Sequence, residues 1–208
     1  MMRVLQWNCR GASGRDTVDR IQWMLNNLDV TILCLVETRA DNERISRFCE
    51  KFKRKWEWAA IPAMGYSGGI IILWKKNIGK ATPIAISRYA LHLILTLDDE
   101  STWIISTVYN NQLVAVQQST WEELSKLATI QNPWIINGDF NAIRCNEDRK
   151  GGAEGNRLGI KSKQMNSFLI NNNLMELNTL DSPYTWCNNQ RGTARIWAKL
   201  DRFFVNED

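Results

Sequence analysis

The sequence predicts an α/β domain in which two sheets lie face to face with helices outside. Three observations carry that expectation. Strand-like apolar runs alternate with helix-spaced stretches along all 208 residues. The middle of the chain is rich in short runs compatible with antiparallel strands, separated by turn residues. No internal repeat and no linker interrupts the sequence, so a single domain, 1–208, is expected.

The elements follow in order. Residues 4–7 (VLQW) read as a short strand that ends on Asn8. Val18, Ile21, Met24, Leu25 and Leu28 recur at helical spacing and predict a helix over 17–28. The apolar run 30–36 reads as a buried strand closing on Glu37. Ile45, Phe48, Cys49, Phe52 and Trp56 fall at helical spacing again, which predicts a helix over 45–56. Five strands are expected at 58–61, 69–74, 82–87, 91–97 and 103–109, with a turn in GYSGGI (65–70) between the first two. A helix over 117–130, a strand at 134–136, a glycine-rich loop at 151–159, a helix over 161–171 and a closing hairpin from Thr185 complete the chain.

Composition narrows the function classes. Hydrophobic residues are 44% and charged residues 23%, ordinary for a soluble globular protein. Ten tryptophans each need a burial site or a flat ligand. A net charge of +4 permits an anionic partner without demanding one. The five cysteines, at 9, 34, 49, 145 and 187, are odd in number and form no CxxC pair. That argues against a disulfide framework or a thiolate zinc site and for a reducing, intracellular setting. No secretory leader is read at the start. No apolar run, 70–74 included, comes near the length of a bilayer span, so no membrane partner is expected.

Four apolar runs end in a group able to handle a metal or a phosphate. They are Trp7 before Asn8, Val36 before Glu37, Val108 before Tyr109 and Asn110, and Ile136 before Asp139 and Asn141. Strand ends are rigid, and the loops leaving them can converge on one sheet edge. A hard cation such as Mg²⁺ takes oxygen ligands and only one or two carboxylates, which suits an isolated Glu37 and Asp139. Asn8 and Asn141 can orient a carboxylate, a water or a phosphate oxygen, and Tyr109 can donate to a phosphoryl group. Each of these, taken singly, is more often a cap or turn residue. His92, the sole histidine, lies inside a strand run and reads as structural.

Taken together, the set resembles the endonuclease/exonuclease/phosphatase superfamily, and within it the endonuclease domain of plant LINE-type (non-LTR) retrotransposons. The residues that carry the resemblance are WNCRG (7–11), ETR (37–39), GYSGGI (65–70), VYN (108–110), GDFN (138–141), YTWCNN (184–189) and RIWAKLDR (195–202), in the family's order. The resemblance implies a four-layer α/β-sandwich with two mainly antiparallel sheets. It implies a DNA-nicking phosphodiesterase that uses Mg²⁺, with Mn²⁺ as an alternative. Glu37 would be the main metal ligand with Asn8 beside it. Tyr109 would contact the scissile phosphate, Asp139 would orient or activate the attacking water, and Asn141 would help to place the phosphate. Asp201 matches the acid that polarises the family's histidine. The implied partners are DNA and a reverse transcriptase domain of the same polyprotein, for a monomer working in the nucleus.

The resemblance also implies a Ser-Asp-His motif and a last sheet strand after the equivalent of Asp201. No histidine follows His92 in these residues. The expectation is therefore a chain cut short or a decayed element. Arg191, Arg195, Lys199 and Arg202 read as a basic patch on the closing hairpin, with Asn110 and Arg191, Arg195 and Arg202 as candidate substrate contacts, whereas the cations at 51–55 read as a solubilising face. Two other readings remain open: a superfamily phosphoesterase for an inositol phosphate, lipid or nucleotide, and a non-catalytic remnant that binds DNA weakly or has no activity.

Overall fold

The computed structural model describes residues 2–65, 67–152 and 158–206. Contacts divide the chain into two compact units, residues 1–109 with 134–138, and residues 110–133 with 139–208.

The first unit holds two sheets. In one, β1 (Val4–Asn8) runs parallel to β2 (Ile32–Val36), and β2 and β3 (Trp56–Ile61) flank β4 (Ile70–Lys75) in antiparallel pairing. The parallel pair is joined by α1 (Arg15–Asn27), the crossover that parallel strands require. In the other sheet β5 (Gly79–Ile86), β6 (Ala90–Leu97) and β7 (Thr102–Tyr109) pair antiparallel, with β8 (Trp134–Asp139) beyond β7. The two-residue side-chain period explains the packing. Ile32, Cys34 and Val36 of β2 face Leu91, Leu93, Leu95 and Ile105 of the second sheet. Leu33 and Leu35 face the other way, onto Val18 and Ile21 of α1 and onto Ile45 and Phe48 of α2 (Asn42–Cys49). Because both faces are covered, β2 is apolar throughout and β4 is apolar from Ile70 to Trp74. Each fully buried leucine or isoleucine contributes about 1.5–3 kcal/mol.

Helix α2 is shorter than its apolar spacing predicts. Asp41 caps it by accepting from the Arg44 amide at 2.8 Å. It stops at Cys49, and Trp56 instead opens β3 opposite Lys75. Turns at 51–55 keep a near-helical rise, so the rings of Phe48 and Phe52 still meet at 5.2 Å. Lys51, Lys53, Arg54 and Lys55 crowd like charge into that turn, which disfavours a continued helix.

The second unit contains α3 (Val114–Leu127), α4 (Ile160–Asn171) and short strands. Strand β9 (Arg149–Gly151) and β11 (Trp186–Cys187) flank β12 (Ile196–Ala198), and β10 (Met175–Glu176) pairs with β13 (Asp201–Val205). The closing hairpin expected from Thr185 is β11–β12. Most of the expected loop at 151–159 lies outside the described residues, although Gly151 itself ends β9. The unit's core is aromatic: Trp121 of α3 stacks on Phe168 of α4 at 5.0 Å and on Phe140 at 5.8 Å, and Phe140 meets Phe204 edge-on at 4.9 Å.

A buried ionic cluster ties the short strands together. Glu176 takes Arg144, Lys199 and Arg202 at 2.5–2.6 Å, and Arg202 also donates to Asp148 at 2.6 Å. Burial pushes the Glu176 carboxyl up, but Lys199, Arg202 and Arg144 outweigh it and hold it below the usual glutamate range. A lowered folded-state value means that this stabilisation is present above the unfolded value and is lost as pH falls through the folded one. Acid titration followed by tryptophan fluorescence is expected to show instability growing below about pH 4.3, the ordinary glutamate value. Glu176→Gln should flatten that part of the curve; an unchanged curve would exclude Glu176 as its source.

All five cysteines are free. Burial pushes the thiols of Cys9, Cys34 and Cys49 up to about 11, 12 and 12. No helix of the described residues is long and apolar enough to cross a membrane.

Candidate active site

In the first unit Asn8, Glu37 and Tyr109 all stand at strand ends. Asn8 is the last residue of β1 and lies opposite Val36, the last residue of β2, which Glu37 directly follows. Strands lie about 4.8 Å apart, which makes Asn8 and Glu37 neighbours across the ladder. Glu37 and Arg39 are both left-handed, with φ of 56° and 51°. For residues with a Cβ, that conformation costs roughly 1–2 kcal/mol and needs outside support. The support is visible: the amides of Thr38 and Arg39 donate to the carbonyls of Gly69 (3.2 Å) and Gly68 (3.0 Å). Gly69 is required here, since a Cβ would stand 2.2 Å from the Thr38 hydroxyl. The Glu37 carboxylate is paired with the Arg39 guanidinium, and its side chain is 14% exposed. A Cβ on Gly68 would stand 3.9 Å from the Tyr109 ring, so the same glycine turn borders both Glu37 and Tyr109.

In the second unit, the run GDFN is built around its phenylalanine. Phe140 is fully buried, and its amide donates to the Leu200 carbonyl at 2.9 Å. With that residue anchored, Asp139 and Asn141 are held on either side of it. Asp139 accepts from the Asn141 amide at 3.0 Å, and Asn141 is left-handed, with φ of 50°. Asn141 Nδ2 donates to the Asn110 carbonyl at 2.7 Å, and the Asn110 amide donates to the Asp139 carbonyl at 2.8 Å. Asn110 is itself fully buried. Asp201 follows Leu200, and both amides donate to the Thr185 hydroxyl at 3.0–3.1 Å. Asn110, Asp139, Asn141 and Asp201 thus belong to one hydrogen-bonded arrangement.

The basic patch divides. Arg191 and Arg195 are exposed on the hairpin, and Arg195 lies 6.0 Å over Trp197. Lys199 and Arg202 are buried, 8% and 3% exposed, in the cluster with Glu176. Arg202 is therefore a structural cation rather than a surface contact, because two acids distant in sequence enclose it.

Three further residues bear on this arrangement and escape a reading of motifs. Gln117 is fully buried in α3, and its Nε2 lies 2.6 Å from the Asn111 carbonyl and 3.4 Å from those of Phe140 and Asn141. Its signal in the sequence is a polar residue on the face that Thr120, Trp121 and Leu124 bury. Gln112 donates to Asn141 Oδ1, and Lys161 donates to Gln112 Oε1 at 3.3 Å. Gln112, Asn141 and Lys161 border a cavity of about 540 Å³ that Arg149, Trp186 and Leu200 also line.

The model of the family described as Endonuclease/Exonuclease/phosphatase matches residues 5–208. The chain belongs to that family. An exodeoxyribonuclease of Bacillus subtilis is 22% identical over 230 residues, covering 99% of this chain and 88% of the relative. The Neisseria 3′ phosphatase NExo, solved with a product DNA hairpin, superposes with a TM-score of 0.75 at 13% identity, covering 100% of this chain and 87% of that one. The endonuclease domain of TRAS1, a telomere-specific non-LTR retrotransposon, superposes at 0.69 with 17% identity, covering 100% and 86%. These likenesses establish the α/β-sandwich of the endonuclease/exonuclease/phosphatase fold for this chain.

No three His, Cys, Asp or Glu side chains cluster as a metal site among the described residues. Glu37 with Asn8 offers one carboxylate and one amide oxygen. That sparse oxygen set fits a hard cation that keeps most of its waters, and it fits no thiophilic metal.

Proposed function

We propose that this family member is a metal-dependent phosphodiesterase that nicks DNA as the endonuclease domain of a LINE-type retroelement. The observation that carries the reading is Glu37, a mostly buried carboxylate held by left-handed backbone beside Asn8. Outlying backbone that its surroundings enforce concentrates at functional sites. The motif set and a solved neighbour that is a retrotransposon endonuclease domain support the retroelement assignment.

Glu37 and Asn8 would hold the cation, Mg²⁺ or Mn²⁺. When bound, such an ion polarises the phosphoryl oxygens and offsets the charge developing on them. The remaining roles fall to the chain's own groups. The Tyr109 hydroxyl and the Asn141 amide donate to the phosphate oxygens. Asp139 accepts a proton from the attacking water. Asp201 orients its neighbours at the site. Exposed Arg191 and Arg195 neutralise the DNA backbone without reading sequence. Inside a cell the setting would be the nucleus, with a reverse transcriptase domain as the partner in the polyprotein.

Supercoiled plasmid incubated with the protein and Mg²⁺ is expected to yield nicked circles. Glu37→Ala and Asp139→Asn should each lower the rate at least about 10²-fold with the melting temperature unchanged. Nicking unaffected by Glu37→Ala would sink the assignment. One observation favours a second reading. His92 is buried on β6 and bonded to Ser106 at 2.9 Å, so the only imidazole in these residues is engaged in the core. A remnant that binds DNA without cutting it would bind plasmid and leave it supercoiled.

A further inference from the structure

The proposed reading gives Asn141 the task of holding a phosphate, which requires its N–H groups, not its carbonyl, to face the ligand. One charged group sets that orientation. The Lys161 ammonium has only donors. Gln112 must therefore present Oε1 to Lys161, which lies 3.3 Å away, and that turns Gln112 Nε2 toward Asn141. Asn141 must in turn present Oδ1 to Gln112, which leaves its Nδ2 as the outward donor. One of those two N–H bonds goes to the Asn110 carbonyl at 2.7 Å, and the second takes no partner among the described residues. The direction of the chain follows from one charge and does not depend on how any single amide is assigned.

We propose that Lys161 is a positioning residue: acting through Gln112, it fixes and polarises the Asn141 amide so that its second N–H is presented to a phosphate oxygen. Three further observations fit. Lys161 forms no ion pair among the described residues, so its charge is balanced locally only through the relay and solvent. Lys161, Gln112 and Asn141 line the same cavity, and among the described residues no carboxylate lines it with them. Gln117 holds the backbone on which Asn141 sits, so the relay acts on a fixed target. Hydrogen bonds in series from a charged donor strengthen one another, which makes the terminal N–H a better anion donor than an isolated amide.

The inference rests on the proposed function, and the test separates the two. Affinity for a DNA duplex is measured for the natural sequence, Lys161→Met, Lys161→Arg, Asn141→Ala and the double variant Lys161→Met/Asn141→Ala. Lys161→Met should weaken binding roughly five- to tenfold, the scale of one hydrogen bond, and Lys161→Arg should restore most of it. In the Asn141→Ala background Lys161→Met should change affinity less than about twofold, since coupled residues are not additive. Equal losses in both backgrounds would show Lys161 acting on its own and overturn the relay while leaving DNA binding in place. A natural sequence that binds no DNA would instead overturn the proposed function. A readout without DNA decides the relay in either case. The Asn141 side-chain amide resonances should shift in Lys161→Met, and unshifted resonances would refute it.

Discussion

Gly138→Ala is expected to cost at least about 4 kcal/mol, the range reserved for substitutions with a specific mechanical cause. Gly138 lies inside β8 with φ of 138°, and a Cβ there would stand 1.9 Å from the Val108 carbonyl oxygen and 2.8 Å from the Val108 carbonyl carbon and amide nitrogen. The obstacle is backbone of a neighbouring strand, not the end of a flexible side chain. Val108 is fully buried and precedes Tyr109, so it can yield only by moving a strand that ends in a candidate site residue. Urea unfolding of the purified variant measures the loss, and failure to recover folded protein is its extreme form. Gly65→Ala is the control. Gly65 is also left-handed, at 64°, but meets nothing within 4 Å. It should cost only about 1 kcal/mol of backbone strain. Equal costs at the two positions would show that the close approach at Gly138 relaxes freely.

Arg202→Ala is expected to destabilise by about 3–5 kcal/mol, the consequence of removing one partner from a buried ion cluster. The guanidinium donates to Asp148 and Glu176 at 2.6 Å and to the Lys199 carbonyl at 2.9 Å, and its side chain is 1% exposed. Without it, Asp148 keeps only the amides of Arg144 and Cys145. Adding Asp148→Asn to Arg202→Ala should recover part of the loss, because it removes the stranded charge. The surface pair Arg44–Asp41, exposed on both sides, should contribute at most about 1 kcal/mol. An Arg202→Ala variant within 1 kcal/mol of the parent in thermal or urea unfolding would return Arg202 to the surface patch.

Arg202 also shows where the sequence stops being legible. Its acids lie 54 and 26 residues away, so local spacing places it beside Arg191 and Arg195 as one basic run. Strands β2 and β4 are plain in the sequence because both faces are buried, which leaves no polar residue in β2 and only the terminal Lys75 in β4. Trp56 misleads because turns at 51–55 mimic helical spacing, and the strand that claims it pairs with residues almost twenty positions on. Strand β10 is invisible: it has two residues, and one of them is the charged Glu176. Asn8, Glu37, Tyr109, Asp139 and Asn141 are readable as candidates because a polar group closing an apolar run is a local signal. The left-handed backbone at Glu37, its pairing with Arg39, and the supporting amides of Gln112 and Gln117 are not, since each depends on what the fold brings alongside.

The distribution of thiols gives each unit its own chemical clock. Cys9, Cys34 and Cys49 sit in the first unit, sealed and held far from the thiolate form. Cys145 and Cys187, in the second, are at least partly open to solvent. A disulfide reagent added to the native protein therefore modifies the second unit at once. It reaches the first only as often as that sandwich opens, so the slow phase of labelling counts openings that no bulk melting curve resolves.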